Sequence, residues 1–396
     1  MATAAAMVIS FTMAAGCGNG DTPSTQTHSR EAGFGRSLSK VAGKANELVM
    51  VAAGGDVNFG DGVTPYLTSN GVDYPWANVS DLFSSANIGF VNLECCISTG
   101  GTPVPEKEYC FRGPPDAVGG MARAGVDIVS LANNHSKDYG TGALLDTFTY
   151  LEGSGVRWCG GGKDAGEAYE CTGLTVHGKT VGFLAFNSIV PSGWPATADS
   201  PGCATTWDEE RVADSIKSAK SECDYVVSSF HWGIELQTSP TGEQRNLAHL
   251  AVDSGADLVL GHHPHVVQGF ELYRDRLIAY SLGNFIFSPP REISSKTVLL
   301  IATIGPEGLV QAKITPVVIR NCRPVLMEGS QARSWLDTVS GYSQNLGTDI
   351  SIRGGSGFID RAQAPDEGTR GILKIHGIMR PRLHGFRRNV SRLPRF

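Results

Sequence analysis

Between Leu258 and Val266 the chain reads Leu-Val-Leu-Gly-His-His-Pro-His-Val, an apolar run that stops at a glycine and then presents His262, His263 and His265. Imidazole is the commonest protein ligand for divalent transition metals, and histidines spaced i, i+2 beyond a strand can aim at one point. The run therefore reads as half of a metal site, with a merely histidine-rich polar loop as the plainer alternative. Other stretches carry matching chemistry: Gly54-Gly55-Asp56-Val57-Asn58, Asn92-Leu93-Glu94, Asn133-Asn134-His135 with Asp138, and His231-Trp232-Gly233-Ile234-Glu235. Taken singly, Asp56 after two glycines suits a turn or cap, and Asn133-Asn134 suits left-handed backbone. Taken together, the carboxylates, the amide oxygen and the histidines exceed what a closed four-coordinate zinc site needs. They match a two-metal centre, whose ions lie about 3.5–4 Å apart and share bridging oxygens.

These groups need elements that end where they stand. Short apolar runs at 48–53, 88–93, 127–131, 225–230 and 258–260 predict strands, and each candidate residue follows such a run. Helical patterns fall at 114–124, 139–152, 208–222 and 243–254, and 174–183 predicts a hairpin around His177-Gly178-Lys179. Strands at 277–280, 297–303 and 310–318 crowd together without long helices between them. The pattern predicts an α/β sandwich with mixed sheets.

With 396 residues and a net charge of -6, the chain has length for a large core and no global electrostatic reason to bind nucleic acid or an anionic membrane. No run of about 18 apolar residues exists to span a bilayer. Residues 1–46 read as an export segment and tether: 1–17 is small, apolar and uncharged, ends in Met13-Ala14-Ala15-Gly16-Cys17, and is similar to the cleavage box of bacterial lipoproteins. Cys17 would carry the lipid and place the protein on the outer face of the cell membrane; a disordered N-terminal tail is the alternative. Of 9 cysteines, the 8 beyond Cys17 suggest disulfides in an exported chain, with Cys159 and Cys171, or Cys110 and either Cys95 or Cys96, as possible pairs. Residues 47–359 form the expected domain, and 360–396 is expected to be a disordered basic tail, since 361–396 carries nine Lys or Arg against Asp366 and Glu367.

In order along 48–347, Gly55-Asp56, Asn92-Leu93-Glu94, Ala132-Asn133-Asn134-His135, His231-Trp232-Gly233, Gly261-His262-His263-Pro264-His265-Val266 with Gln268, and Tyr280-Ser281-Leu282-Gly283-Asn284-Phe285 resemble the CapA family of poly-γ-glutamate capsule proteins. The resemblance implies a branch of the calcineurin-like metallophosphoesterases. Its fold would be a four-layer αββα sandwich of metallo-dependent phosphatase type with mixed sheets. It also implies one or two divalent metal ions (Mn, Zn, Fe or Mg) held by Asp56, Glu94, Asn134, His231, His263 and His265, with His135 as general acid. Asn58 stands where typical phosphoesterases place a histidine, and Glu94 replaces their aspartate. Cys95 and Cys96 read as structural, since a thiolate ligand needs a lowered pKa.

Two functions follow from the resemblance. The first is a metal-dependent hydrolase of a phosphoester or a γ-glutamyl amide. The second is a tethered accessory protein that only binds, moves or anchors poly-γ-glutamate or a related anionic polymer beside membrane-bound capsule synthesis proteins. Arg112 is a candidate for meeting polymer carboxylates in the second, with a solvated loop arginine as the plainer alternative.

Overall fold

The computed structural model describes residues 47–60 and 62–361. The first half supplies β1 (Val49–Val57), β2 (Ile88–Leu93), the small pair β3 (Cys96–Ile97) and β4 (Arg112–Gly113), β5 (Ile128–Ser130), β6 (Arg157–Cys159) and β7 (Gly161–Gly162). There follow β8 (Thr172–Val176), β9 (Lys179–Asn187), β10 (Gly202–Cys203), β11 (Tyr225–His231), β12 (Leu258–His262), β13 (Phe270–Tyr273) and β14 (Arg276–Ala279). The last are β15 (Asn284–Ile286), β16 (Lys296–Gly305), β17 (Gly308–Arg320), β18 (Arg323–Leu326), β19 (Ser351–Arg353) and β20 (Ser356–Asp360).

Two mixed sheets result. The larger runs β19-β20-β17-β16-β1-β2-β5-β6, with β15 beside β1 and β18 beside β17. Its β1, β2, β5 and β6 are parallel, and β16 returns antiparallel to β1. The smaller runs β13-β14-β12-β11-β9-β8, with β9, β11, β12 and β14 parallel and both edge strands antiparallel.

Period-two alternation sorts the side chains into layers. Val49, Val51 and Ala53 of β1 share a cluster with Val227 of β11 and Leu258 and Leu260 of β12, which is the core between the sheets. There Phe90 of β2 stacks on Phe183 of β9 with ring centroids 5.9 Å apart. The other face of β1, through Ala52 and Val57, packs with Met121, Leu144 and Leu151 from the helices Asp116–Arg123 and Gly140–Gly153. The other face of the smaller sheet, through Val226, Phe230 and Val259, packs with Ile216 and Leu247 from the helices Glu209–Glu222 and Gly242–Asp253. The order is helix, sheet, sheet, helix: the four-layer αββα sandwich. Each fully buried Phe or Leu contributes about 1.5–3 kcal/mol to holding these layers together.

The strands expected from the sequence are present, with two extensions that matter. β1 continues through Gly54 and Gly55 to Val57, and β12 through Gly261 to His262. At both glycines neighbouring backbone comes too close for a side chain: a Cβ on Gly55 would overlap the carbonyl oxygen of Gly283, and one on Gly261 that of Tyr280. The glycines therefore carry the strands forward into the site. Among the elements that carry no expectation above are the helix Gly329–Gln344 and the β19–β20 hairpin, which closes the larger sheet through Asp360, just past the expected boundary.

The expected disulfides are not formed. Cys95, Cys96, Cys159 and Cys171 are free thiols. The Phe59 N–H donates to Cys95, while Cys96 donates to the Phe111 carbonyl and Cys159 to that of Val129. Cys110 points instead to the carbonyls of Val104 and Lys107. Among the described residues no helix is long and apolar enough to cross a membrane. Cys17 and the basic tail beyond Arg361 lie outside the described residues.

Candidate metal centre

The carboxyl ends of the two sheets meet at one edge, and the chemistry of the sequence collects there. The larger sheet brings Asp56 near the end of β1, Glu94 just after β2, and Asn134 and His135 in the turn after β5; the smaller brings His231, the last residue of β11, and His263 and His265 just past β12. Asp56, Glu94, His231 and His263 are buried.

Glu94 is the shared member. Its Oε1 lies 3.6 Å from His231 Nε2, 3.8 Å from His265 Nε2 and 3.9 Å from His135 Nε2. It is buried, yet has no hydrogen-bond partner. His263 Nδ1 and His262 Nε2 are likewise buried and unpartnered. A buried polar atom left without a partner normally costs about 1–3 kcal/mol. Orphaned lone pairs converging at separations too long for hydrogen bonds are what a cation relieves, since ligands at about 2.1 Å from one ion lie roughly 3.4 Å from each other.

Among the described residues, ligand atoms within 4.8 Å of one another fall into three sets: Glu94 with His231 and His263, Asp56 with Glu94 and His265, and Glu235 with His263 and His265. The first two share Glu94, as a bridged pair of sites requires. Asn134 Oδ1 joins the first by lying 2.8 Å from His231 Nε2. The residues present thus fit one or two divalent cations.

The titratable groups are shifted in keeping with this crowding. Burial alone would raise the Asp56 carboxyl, but hydrogen bonds and charge from His262 and His265 overturn it and hold Asp56 well below the usual range. Burial and the neighbouring charge of Asp56 push Glu94 well above it. Burial, reinforced by neighbouring histidines, depresses His231 strongly and His263 to about 3. For His265 burial works the same way, yet Glu94 and Asp56 overcome it and lift the imidazole to about 9. Neutral imidazoles and ionised carboxylates are the metal-ligating forms.

His135 faces this cluster through Nε2, while its Nδ1 lies 2.6 Å from Asp138 Oδ2 and its ring stacks on Phe111 at 4.3 Å. Lys107 holds the other carboxylate oxygen of Asp138 and lies 2.9 Å from His135 Nδ1. Asp138 also accepts from the Phe111 N–H at 2.6 Å. A carboxylate clamped in this way fixes the ring's orientation.

Asn92 is a further member. Its Oδ1 accepts from Asn133 at 3.1 Å, which turns its amide NH₂ toward Asp56 Oδ1 at 2.9 Å, Glu94 Oε2 at 3.4 Å and His231 Nδ1 at 3.3 Å. His262 Nδ1, 3.3 Å from Asp56 Oδ1, and Asn284 Oδ1, 2.9 Å from His265 Nδ1, complete the supports. Asn92, His262, Asn284 and Glu235 stand inside motifs visible in the sequence, but Lys107 has no local signal and reaches the site only through folding of its loop. Asn58 does not join: its Oδ1 accepts from the Gly60 N–H at 2.7 Å and makes a turn. Arg112 is occupied elsewhere, donating to the Gly100 carbonyl at 2.7 Å and lying 4.3 Å over the Tyr139 ring. Burial raises the thiols of both Cys95 and Cys96, the latter to about 12, so neither is a thiolate.

Residues 50–289 match the family described as bacterial capsule synthesis protein PGA_cap. Among curated relatives, the chain is 27% identical to the capsule biosynthesis protein CapA of Bacillus anthracis over 294 residues, covering 73% of this chain and 72% of that one. It is 28% identical to the PGA biosynthesis protein CapA of Bacillus subtilis over 287 residues, covering 72% and 75%. Among solved structures, an NAD nucleotidase of Haemophilus influenzae aligns with a TM-score of 0.36 at 11% identity, covering 74% of this chain and 56% of the other.

Proposed function

The chain belongs to the PGA_cap family of bacterial capsule synthesis proteins, and from that membership we propose that it is a divalent-metal hydrolase of an anionic cell-surface polymer, cutting a phosphoester or a γ-glutamyl amide in poly-γ-glutamate or a related chain. The observation that carries this reading is the buried, unpartnered Glu94 Oε1 facing His135, His231 and His265. One or two divalent ions held by Asp56, Glu94, Asn134, His231, His263 and His265 would supply Lewis acidity toward a substrate oxygen and toward an attacking water. The chain's own residues do the rest. Asp138 accepts from His135 Nδ1 and sets the tautomer, leaving Nε2 to give or take the transferred proton at the cluster's mouth. Lys107 pins Asp138 from the other side. Asn92 and Asn133 hold the carboxylates and the turn carrying His135, so that acid and ligands keep their spacing.

Within the same proposal the protein works outside the cell, tethered through Cys17 near membrane-bound capsule synthesis proteins. The test uses the full chain loaded with Mn or Zn. Metal content is measured beside release of inorganic phosphate from a generic phosphoester and of glutamate from a γ-linked polymer. Turnover of either that disappears in His135→Ala supports the hydrolase. Stoichiometric metal with no turnover of either overturns it in favour of a binding-only accessory role.

A further inference from the structure

Away from the metal centre, Cys171 and Cys223 converge from distant parts of the sequence. Cys171 immediately precedes β8, the edge strand of the smaller sheet; Cys223 caps the helix Glu209–Glu222, just before β11. Between them runs β9, whose Gly182 lies in register with Gly173 of β8 and Val226 of β11. A Cβ built on Gly182 would lie 2.5 Å from the Cys171 sulfur and 2.8 Å from the Cys223 sulfur. Both sulfurs therefore sit over the same bare point of the sheet, in the space that the missing side chain leaves. Both are free and only partly buried. Among the other described thiols, Cys95, Cys96, Cys159, Cys203 and Cys322 are buried, and the half-buried Cys110 points to the carbonyls of Val104 and Lys107.

We propose that Cys171 and Cys223 are a dithiol–disulfide pair, oxidised by exchange with a small-molecule disulfide, and that the bond staples the edge strand β8 across β9 to the junction of the helix with β11. The Cys223 thiolate attacks one sulfur of the oxidant and releases its first thiol; the Cys171 thiolate then displaces the second. Two protons and two electrons leave the pair, and the oxidant is reduced to two thiols. Cys223 goes first because it is the less deeply buried of the two, and burial raises the Cys171 thiol further. Burial pushes the Cys171 thiol up to about 12, so exchange is slow at neutral pH and faster in mild alkali. The cross-link adds no strand pairing. It removes conformational freedom from the unfolded chain, which is where most of its stabilisation arises.

The experiment incubates the native full chain with excess glutathione disulfide at pH 8, alkylates remaining thiols, and maps a non-reducing digest by mass spectrometry. The expected result is a Cys171–Cys223 cross-linked peptide two hydrogens lighter than the reduced pair. With it comes a melting temperature higher by roughly 5 °C, lost on adding reductant and absent in Cys223→Ser. If Cys223→Ser does not fold, the wild-type map decides alone. Recovery of both cysteines alkylated, or cross-linking of either one to a different cysteine, overturns the proposal.

Discussion

At the scale of single residues, the centre separates ligands from a proton carrier, and the separation can be measured. His263→Ala and His265→Ala each remove an imidazole from two of the three ligand sets, one of them containing Glu94, so bound metal should fall well below the wild-type stoichiometry by atomic absorption. His135 belongs to none of those sets and is held by Asp138 and Phe111. His135→Ala should therefore keep its metal while any hydrolytic rate falls by about 10² to 10⁴. Equal metal loss in all three variants would make His135 a ligand. A second expectation concerns pH. Burial keeps His231 and His263 neutral in the fold, whereas both would take up protons below about 6.5 when unfolded, so their stability contribution is present above that pH and lost as pH falls toward about 3. Glu94, raised in the fold, opposes this with one proton of the opposite sign. His265 is protonated in both states below about 6.5, and its contribution is lost only as pH rises toward about 9. The two depressed histidines outweigh Glu94, so the chelated protein should melt at a lower temperature at pH 5 than at pH 6.5. A rise would contradict the neutral assignment. The ligand residues were legible in the sequence because each follows an apolar run. Lys107 was not, because a lysine in a proline-rich loop carries no period and meets Asp138 only after that loop closes.

At the scale of elements, the site depends on how far two strands continue past their apolar runs. Sequence reading ends both at glycine, because glycine weakens strand pairing when local propensity alone is counted. In the fold the glycines permit Gly283 and Tyr280 backbone to approach, which brings β15 and β12 into place beside Asp56 and His263. Gly261→Ala should cost about 3 kcal/mol or more, because the obstacle is a carbonyl oxygen rather than a movable side chain. Thermal or denaturant melting checks it; a loss below about 1 kcal/mol would mean that the strand shifts freely. The helix Gly329–Gln344 escaped notice for a related reason. Its apolar residues, Ala332, Trp335, Leu336 and Val339, are few among serine, threonine and glycine. Its Trp335 indole is fixed by donating to the Thr297 carbonyl across the sequence at 2.9 Å, a contact that local pattern does not announce.

At the scale of the whole molecule, the alternation of strand and helix sufficed to read a layered α/β fold, and the crowded late strands to read mixed sheets. The pairing order was beyond reach, since β15 lies against β1 from more than two hundred residues away and only tertiary packing selects that neighbour. If the proposed tether through Cys17 holds, Cys17→Ser should move the protein from the membrane fraction to the soluble one, because no described helix replaces a lipid anchor. Unchanged sedimentation with membranes would exclude Cys17 as the attachment.

His263 and His265 hold left-handed backbone, with φ of 93° and 58°. For a residue bearing a Cβ this conformation costs about 1–2 kcal/mol, a cost that glycine avoids. The loop after β12 is therefore a place where selection for stability and selection for ligation pull in opposite directions. In a library screened only for folding, glycine or asparagine should accumulate at both positions, with histidine returning once metal retention is also demanded.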